Sequence, residues 1–321
     1  MTDQILEGLR AAAEPTRLRI LALCARADLT VSDLVRILGQ SQPRLSRHLK
    51  LMTESGLLAR HREGQWAYHR IGTAGPGGQV ARVVSELHAE GGLAHAADFA
   101  RLTAIQEERR EAAAAYFSAN AKNWDHIRAL HIDEVSVERA IAAMTTDLDV
   151  HRLLDIGTGT GRMLQIFGPR VGDAVGIDIN RDMLRVARDK LERGKFRNCH
   201  VRQGDMNHLP WPDGSFDGAV LHQVLHYAER PEATIAEAAR VLQPNGTLLI
   251  VDFAPHTREE LRAEHAHRWL GFADESIAAW CAFAGLSVEK SRRLRGRPLA
   301  VSIWRARRQA PGVPAKRRSA A

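Results

Sequence analysis

The chain has 321 residues, 45% hydrophobic and 26% charged, which is long enough for two domains and excludes a disordered or fibrous class. No apolar run approaches the roughly 20 residues that span a bilayer. The opening MTDQILEGLR also lacks a basic stretch followed by an apolar one, so a cytoplasmic protein without membrane contact is expected.

Cys24, Cys199 and Cys281 are odd in number and far apart, which suits a reducing compartment and excludes a disulfide framework. The net charge of +7 is unevenly placed. Eleven Lys/Arg and no acid lie between Lys290 and Arg318, so the rest of the chain is net acidic. Within that rest, Ser41 to Arg70 holds six Lys/Arg against Glu54 and Glu63. Such a stretch can follow nucleic-acid phosphates. Residues 308–321 read as a disordered basic tail.

In chain order, Ile5, Leu6 and Leu9, then Leu18, Ile20, Leu21 and Leu23, keep helical spacing on either side of Pro15, which predicts two helices. Thr30 to Leu38 predicts a third. Gly39-Gln40-Ser41 is a turn, with Ser41 as N-cap and Pro43 just inside a helix that ends at Gly56. Helix, glycine turn, helix is the helix-turn-helix pattern. On the second helix Leu45, Leu49 and Met52 share one face. Gln42, Arg44, Ser46, Arg47, His48 and Lys50 form the other, with side chains able to reach bases or phosphates from the major groove. LLARHREGQWAYHRI then alternates around Glu63-Gly64-Gln65 as a hairpin with Arg62 near its tip. A hairpin directly after a recognition helix predicts a winged helix.

LRAAAEPTRLRIL, SQPRLSRHLKLMTESGLL and REGQWAYHRI resemble the ArsR-type winged-helix repressors over roughly residues 5 to 100. The resemblance implies a homodimer on a double-stranded DNA operator. It departs where metal-sensing members carry a Cys-x-Cys pair: the matching DLTVSDL has Thr30 and Ser32, and a soft-metal site needs thiolates. His88, His95 and Asp98 share no face, so no metal is expected. Residues 72–80, GTAGPGGQV, read as a flexible break. Val80 to about Phe117 then reads as helix, ending in the alanine-rich QEERREAAAAYF.

From about residue 150 strands and helices alternate. Arg152–Ile156, Ala174–Ile179, Val201–Gly204, Phe216–Leu221 and Thr247–Asp252 predict five strands, the last after the turn 243–246. This predicts a parallel sheet between helices, a Rossmann-like α/β fold, with its ligand at the carboxyl strand ends. Gly157, Gly159 and Gly161 let the backbone approach a ligand, and Asp155, Asp178 and Asp205 close three strands. Carboxylates at three strand ends suit a nucleoside carrying a cation better than one carrying phosphates.

LLDIGTGTGRM, VGIDINRDML, QGDMNHLPWPDGSFD and RVLQPNGTLLIVD are similar to the motifs of class I S-adenosylmethionine-dependent methyltransferases, over about residues 115 to 306. That resemblance implies S-adenosylmethionine or S-adenosylhomocysteine contacts at Asp155, Gly157, Gly159, Gly161, Asp178, Asp205 and Met206, with His222 just beyond. It also places Asn120, Trp124 and Arg128 in a segment folding over the cofactor. The substrate side falls on Asp252–His256, Glu260, Glu264, His265 and His267, with His265 and His267 on different sides of a helix. His222, His256 and His267 are candidate catalytic groups, with His226 and Tyr227 as further bases. No Asn-Pro-Pro-Tyr or Pro-Cys follows the fourth strand, which argues against DNA base methylation, and single cysteines argue against arsenite methylation.

The expected organisation is a winged-helix DNA-binding and dimerisation domain over 1–100, a helical linker and cofactor lid over 101–130, a methyltransferase-like domain over 131–307, and the tail. Two functions follow. One is a ligand-responsive regulator of methionine and S-adenosylmethionine-cycle genes. The other is a methyltransferase acting on a small-molecule methyl acceptor, with an autoregulatory DNA-binding domain.

Overall fold

The computed structural model describes residues 2–63, 66–89, 96–129, 133–296 and 298–310. Its contacts divide the chain into two compact units, Met1–Ala112 and Ala113–Ala321. Most of the expected basic tail, residues 311–321, lies outside the described residues, as does His95.

The first unit runs α1 (Thr2–Ala12), α2 (Pro15–Cys24), β1 (Leu29–Thr30), α3 (Val31–Leu38), α4 (Gln42–Glu54), β2 (Leu58–Glu63), β3 (Trp66–Ile71) and α5 (Gly75–Ala89), then the start of α6 (Ala96–Asn120). Thr30 and Asp33 form a reciprocal capping box that starts α3, and Gly39 ends it in the left-handed conformation at φ 65°. Ser41 occupies the N-cap of α4 but its hydroxyl makes no capping bond; its carbonyl accepts the Leu45 N–H at 3.1 Å. Leu45, Leu49 and Met52 bury that helix against Ile20, Leu21, Leu34 and Ile37. The strands form a three-stranded antiparallel sheet in the order β1-β3-β2.

The expected flexible break at 72–80 is not what the chain does: α5 begins at Gly75. Its glycines serve close packing. A Cβ on Gly77 would lie 2.1 Å from the Ser55 carbonyl oxygen, and one on Gly78 2.8 Å from that of Gly72. Composition alone does not separate a glycine that loosens a chain from one that lets two backbones touch.

In the second unit, α7 (Trp124–Ala129) and α8 (Glu134–Met144) precede β4 (Arg152–Ile156), α9 (Arg162–Phe167), β5 (Asp173–Asp178), α10 (Arg181–Arg193), β6 (Cys199–Gln203) and β7 (Phe216–His222). Then come α11 (Pro231–Val241), β8 (Leu242–Phe253), α12 (Glu260–His265), α13 (Asp274–Phe283), β9 (Leu286–Leu294) and β10 (Val301–Arg308). The seven strands lie in the order β6-β5-β4-β7-β8-β10-β9. β6 through β8 are mutually parallel, and β10 is antiparallel to both its neighbours. Strand order reverses between β4 and β7, and that is where such sheets open a ligand crevice.

Alternate residues bury both faces. Leu154, Ile156, Leu221 and Ile250 pack on one side, and Leu153, Val220, Leu249 and Val251 on the other. Two differences from the sequence expectation stand out. β9 and β10 complete the sheet beyond the five expected strands. The 243–246 turn is absorbed into β8 as an irregularity, with Asn245 at φ 66°.

Candidate functional sites

On α4, Gln42, Arg44, Ser46, Arg47 and Lys50 are exposed. Arg47 Nε reaches only its own helix, at the Pro43 carbonyl 3.4 Å away, and Lys50 Nζ lies 3.8 Å from Glu54. His48 sits apart from this row, half-buried with Nδ1 3.8 Å from Glu14 and its pKa lowered by burial. The side chain of Arg62 lies outside the described residues.

In the second unit, the loop after β4 is shaped by backbone bonds. Gly157 N and Thr158 N both donate to the Ile177 carbonyl, at 2.8 and 2.9 Å. Gly157 and Gly161 adopt φ 71° and 81°, and a Cβ on Gly157 would lie 2.3 Å from Val224 Cγ2. Only glycine fits that position. Asp155 is 1% exposed and accepts the Thr158 hydroxyl at 2.5 Å. Burial pushes its carboxyl up to about 7, and the nearby Asp178 carboxylate adds to the push. Asp178 accepts backbone N–H from Gly159 (2.9 Å) and Asn180 (2.8 Å), and burial raises its pKa as well. Asp205 is half-exposed and accepts from Asn207 N at 2.8 Å. Met206 packs partly buried against the main core.

The segment over this loop is tied down by groups that sequence reasoning missed. Thr160 Oγ1 donates to Asp125 at 2.8 Å, and Lys190 pairs with the same carboxylate. Trp124 Nε1 stands 3.8 Å from where a Cβ of Gly159 would be. Arg128, 9% exposed, pairs with Glu134. Asn120 donates to the Tyr116 carbonyl, within its own helix. No local pattern announces Asp125 or Lys190, because their partners are tens of residues away.

Beyond β7 and β8 lies a cluster of rings. His222 is half-buried and its pKa is held well below the usual histidine range, chiefly by burial. His256 is held down to about 4 by burial, and its Nδ1 accepts from Arg258 N. His226 is 1% exposed, and its Nδ1 lies 2.7 Å from Asp252 Oδ1. The His267 ring lies tilted 4.2 Å from His226 and stacks 5.5 Å from Phe253. His265 and His267 do not share a helix as expected. α12 ends at His265, Ala266 turns left-handed at φ 57°, and His267 lies beyond the end, 5% exposed. Phe117 packs edge-on against Trp124 (5.3 Å) and Tyr227 (4.8 Å). Among the described residues no group of three or more His, Cys, Asp or Glu is placed to hold a metal ion.

Residues 14–60 match the arsR family of bacterial regulatory proteins, and residues 154–250 match a methyltransferase domain. The chain is 36% identical over 106 residues to the uncharacterized methyltransferase YcgJ of Bacillus subtilis (strain 168), covering 33% of this chain and 42% of that protein. It is 40% identical over 114 residues to the ubiquinone/menaquinone biosynthesis C-methyltransferase UbiE of Stutzerimonas stutzeri (strain A1501), covering 34% of this chain and 44% of that protein. The chain thus spans less than half the length of these curated relatives. A chain from the complex between the Haloferax volcanii Trm112 methyltransferase activator and a methyltransferase shares the fold. Its TM-score is 0.53 at 19% identity, covering 62% of this chain and 99% of that one. One chain therefore carries an arsR-family helix-turn-helix segment and a methyltransferase domain.

Proposed function

We propose that this chain is a DNA-binding regulator, a winged helix that reads an operator as a homodimer, whose second unit takes up S-adenosylmethionine or S-adenosylhomocysteine. The observation that carries the DNA half is the exposed row Gln42, Arg44, Ser46, Arg47 and Lys50 on a helix whose opposite face is wholly buried. Exposed cations on the second helix of a helix-turn-helix suit phosphates and guanine edges. Exposed apolar side chains on α1 (Leu6, Leu9) and α5 (Val83, Leu87), two helices that pack together, support a second copy as partner. Genes of the methionine and S-adenosylmethionine cycle are the proposed targets.

The ligand half rests on the donor set at the strand ends. Asp178 stands at the end of β5, where ribose hydroxyls would meet it. Asp155 is a buried acid beside a loop that only glycine can form, placed for an ammonium group, and Asp205 for an adenine amino group. The ligand supplies an electrophilic methyl group on a sulfonium, and the chain supplies binding and orientation. Among the described residues no helix is long and apolar enough to cross a membrane. The test is fluorescence anisotropy on a duplex from the gene's own upstream region. Arg44→Ala with Arg47→Ala is expected to weaken specific binding by about 2 kcal/mol or more. Unchanged affinity would refute the assignment of α4.

A second reading, methyl transfer to a small molecule, is favoured by one observation that a pure sensor does not need: the buried pair of Asp252, near the end of β8, and His226, in the turn after β7.

A further inference from the structure

Three N–H groups converge on the Asp252 carboxylate, which is fully buried. Phe253 N donates at 2.7 Å, His226 N at 3.3 Å, and the His226 ring through Nδ1 at 2.7 Å. A carboxylate only accepts, so it holds a proton on Nδ1, and in the neutral imidazole the lone pair then lies on Nε2. That Nε2 is buried and has no hydrogen-bond partner. Its neighbour Gln223 has a buried, unpartnered Nε2 of its own and a left-handed backbone at φ 51°. A strained backbone and two orphaned buried polar groups side by side each cost folding free energy, and their coincidence calls for a function.

The groups facing His226 come from every side. Asp252 lies on β8, Tyr227 on its own turn, His267 past α12, His256 after β8, and His222 is within electrostatic reach at the end of β7. His267, Tyr227 and Phe253 present flat rings at 4.0 to 4.9 Å or against one another. The cover over it, residues 266–271, is bounded by two left-handed residues, Ala266 and Gly271. It is held by the Arg268 and Trp269 N–H groups donating to the His226 carbonyl.

We propose that His226, oriented by Asp252, is the proton acceptor for methylation of a neutral, planar, hydroxyl-bearing arene, a phenol, held among these rings. The proposal rests on the methyl-transfer reading. A lone pair demands a donor, and a phenolic O–H supplies one. The flat rings packed around His226 suit a planar acceptor, and the buried Asp252 carboxylate opposes one that arrives as an anion. In the step, the phenolic O–H bond breaks and its proton goes to His226 Nε2. The oxygen's electron pair forms the O–CH3 bond as the S–CH3 bond of a methyl sulfonium donor breaks, its pair staying on sulfur as a thioether. Asp252 balances the imidazolium.

The experiment uses the full chain with S-adenosylhomocysteine and 4-nitrophenol, whose phenolate is yellow, at a pH below the phenol's own pKa. The expected result is a phenolate difference spectrum on binding to the wild type. It is lost in His226→Asn and Asp252→Asn, while calorimetric affinity for S-adenosylhomocysteine stays within twofold. With methyl-labelled S-adenosylmethionine and phenol, catechol or hydroquinone, turnover is expected to fall by about a hundredfold or more in His226→Asn. Absence of the phenolate spectrum or of product with the wild type overturns the proposal, as does its survival in His226→Asn. If the wild type does not bind S-adenosylhomocysteine, it is the underlying ligand reading that fails.

Discussion

On α4 the cations stand in solvent and Leu45, Leu49 and Met52 are turned in; at the strand ends of the second unit Asp155 and Asp252 are the charged side chains that are buried. Arg44, Arg47 and Lys50 are exposed, whereas Asp155, His226 and Asp252 are nearly closed to water and Asp178 is partly buried. A surface that meets a polyanion needs unpaired cations it can bring to phosphates, and leaving them hydrated costs the fold nothing. A site for a small cationic ligand works the other way. It holds desolvated carboxylates that are destabilising until the ligand arrives, and that stored cost becomes selectivity.

Removing a strand-end carboxylate from the ligand site should therefore do more than removing an exposed cation. Asp178→Ala is expected to weaken S-adenosylhomocysteine binding by about 3 kcal/mol, two orders of magnitude, by calorimetry. Retained affinity would show that the ligand lies elsewhere. Arg44→Ala and Arg47→Ala together should lower DNA affinity by about 2 kcal/mol or more. If both contact phosphates, the slope of log affinity against log salt should also fall by about two.

Asp155 makes the comparison pH-dependent. Its acid is raised in the folded state, so it is neutral and harmless to the fold at low pH. It costs stability as pH rises through about 7. Asp155→Asn is accordingly expected to raise the ligand-free melting temperature at pH 8, by the equivalent of about 2 kcal/mol, while weakening S-adenosylmethionine binding. In the wild type that binding should strengthen between about pH 6 and pH 8, as the ionised carboxylate meets the ammonium, with net proton release measured by calorimetry in two buffers. A flat pH profile would remove Asp155 from the site. Smallest is Thr30→Ala in the first unit. Losing half of the capping box on α3 should cost about 1 kcal/mol by urea unfolding and leave ligand binding untouched.

What was legible in the sequence was what is written locally. The glycine turn at 39 to 41, the apolar face Leu45–Leu49–Met52 and the strand-ending acids Asp155, Asp178 and Asp205 each depend on residues a few positions apart. The organisation into a helix-turn-helix segment and a parallel α/β sheet followed from these. The rest depended on distant partners. Gly77 and Gly78 read as a loose break because the backbone they press against, at Ser55 and Gly72, is invisible in composition. β9 went uncounted because this outer strand, Leu286–Leu294, is mostly exposed and charged. His226 and Asp252 were each visible as residue types, but 26 positions separate them, and only the turn after β7, folded beside the end of β8, brings them to 2.7 Å.

The most direct measurement titrates a labelled upstream duplex with the full chain at fixed salt, by fluorescence anisotropy, with no ligand, with S-adenosylmethionine and with S-adenosylhomocysteine. A ligand that controls DNA binding has differential affinity for the two states, and the coupling energy is the logarithm of the midpoint ratio. The account predicts that one of the two ligands shifts the midpoint several-fold, the other less, and that Asp178→Ala abolishes the shift without changing ligand-free DNA affinity. Equal DNA affinity in all three ligand states would contradict it.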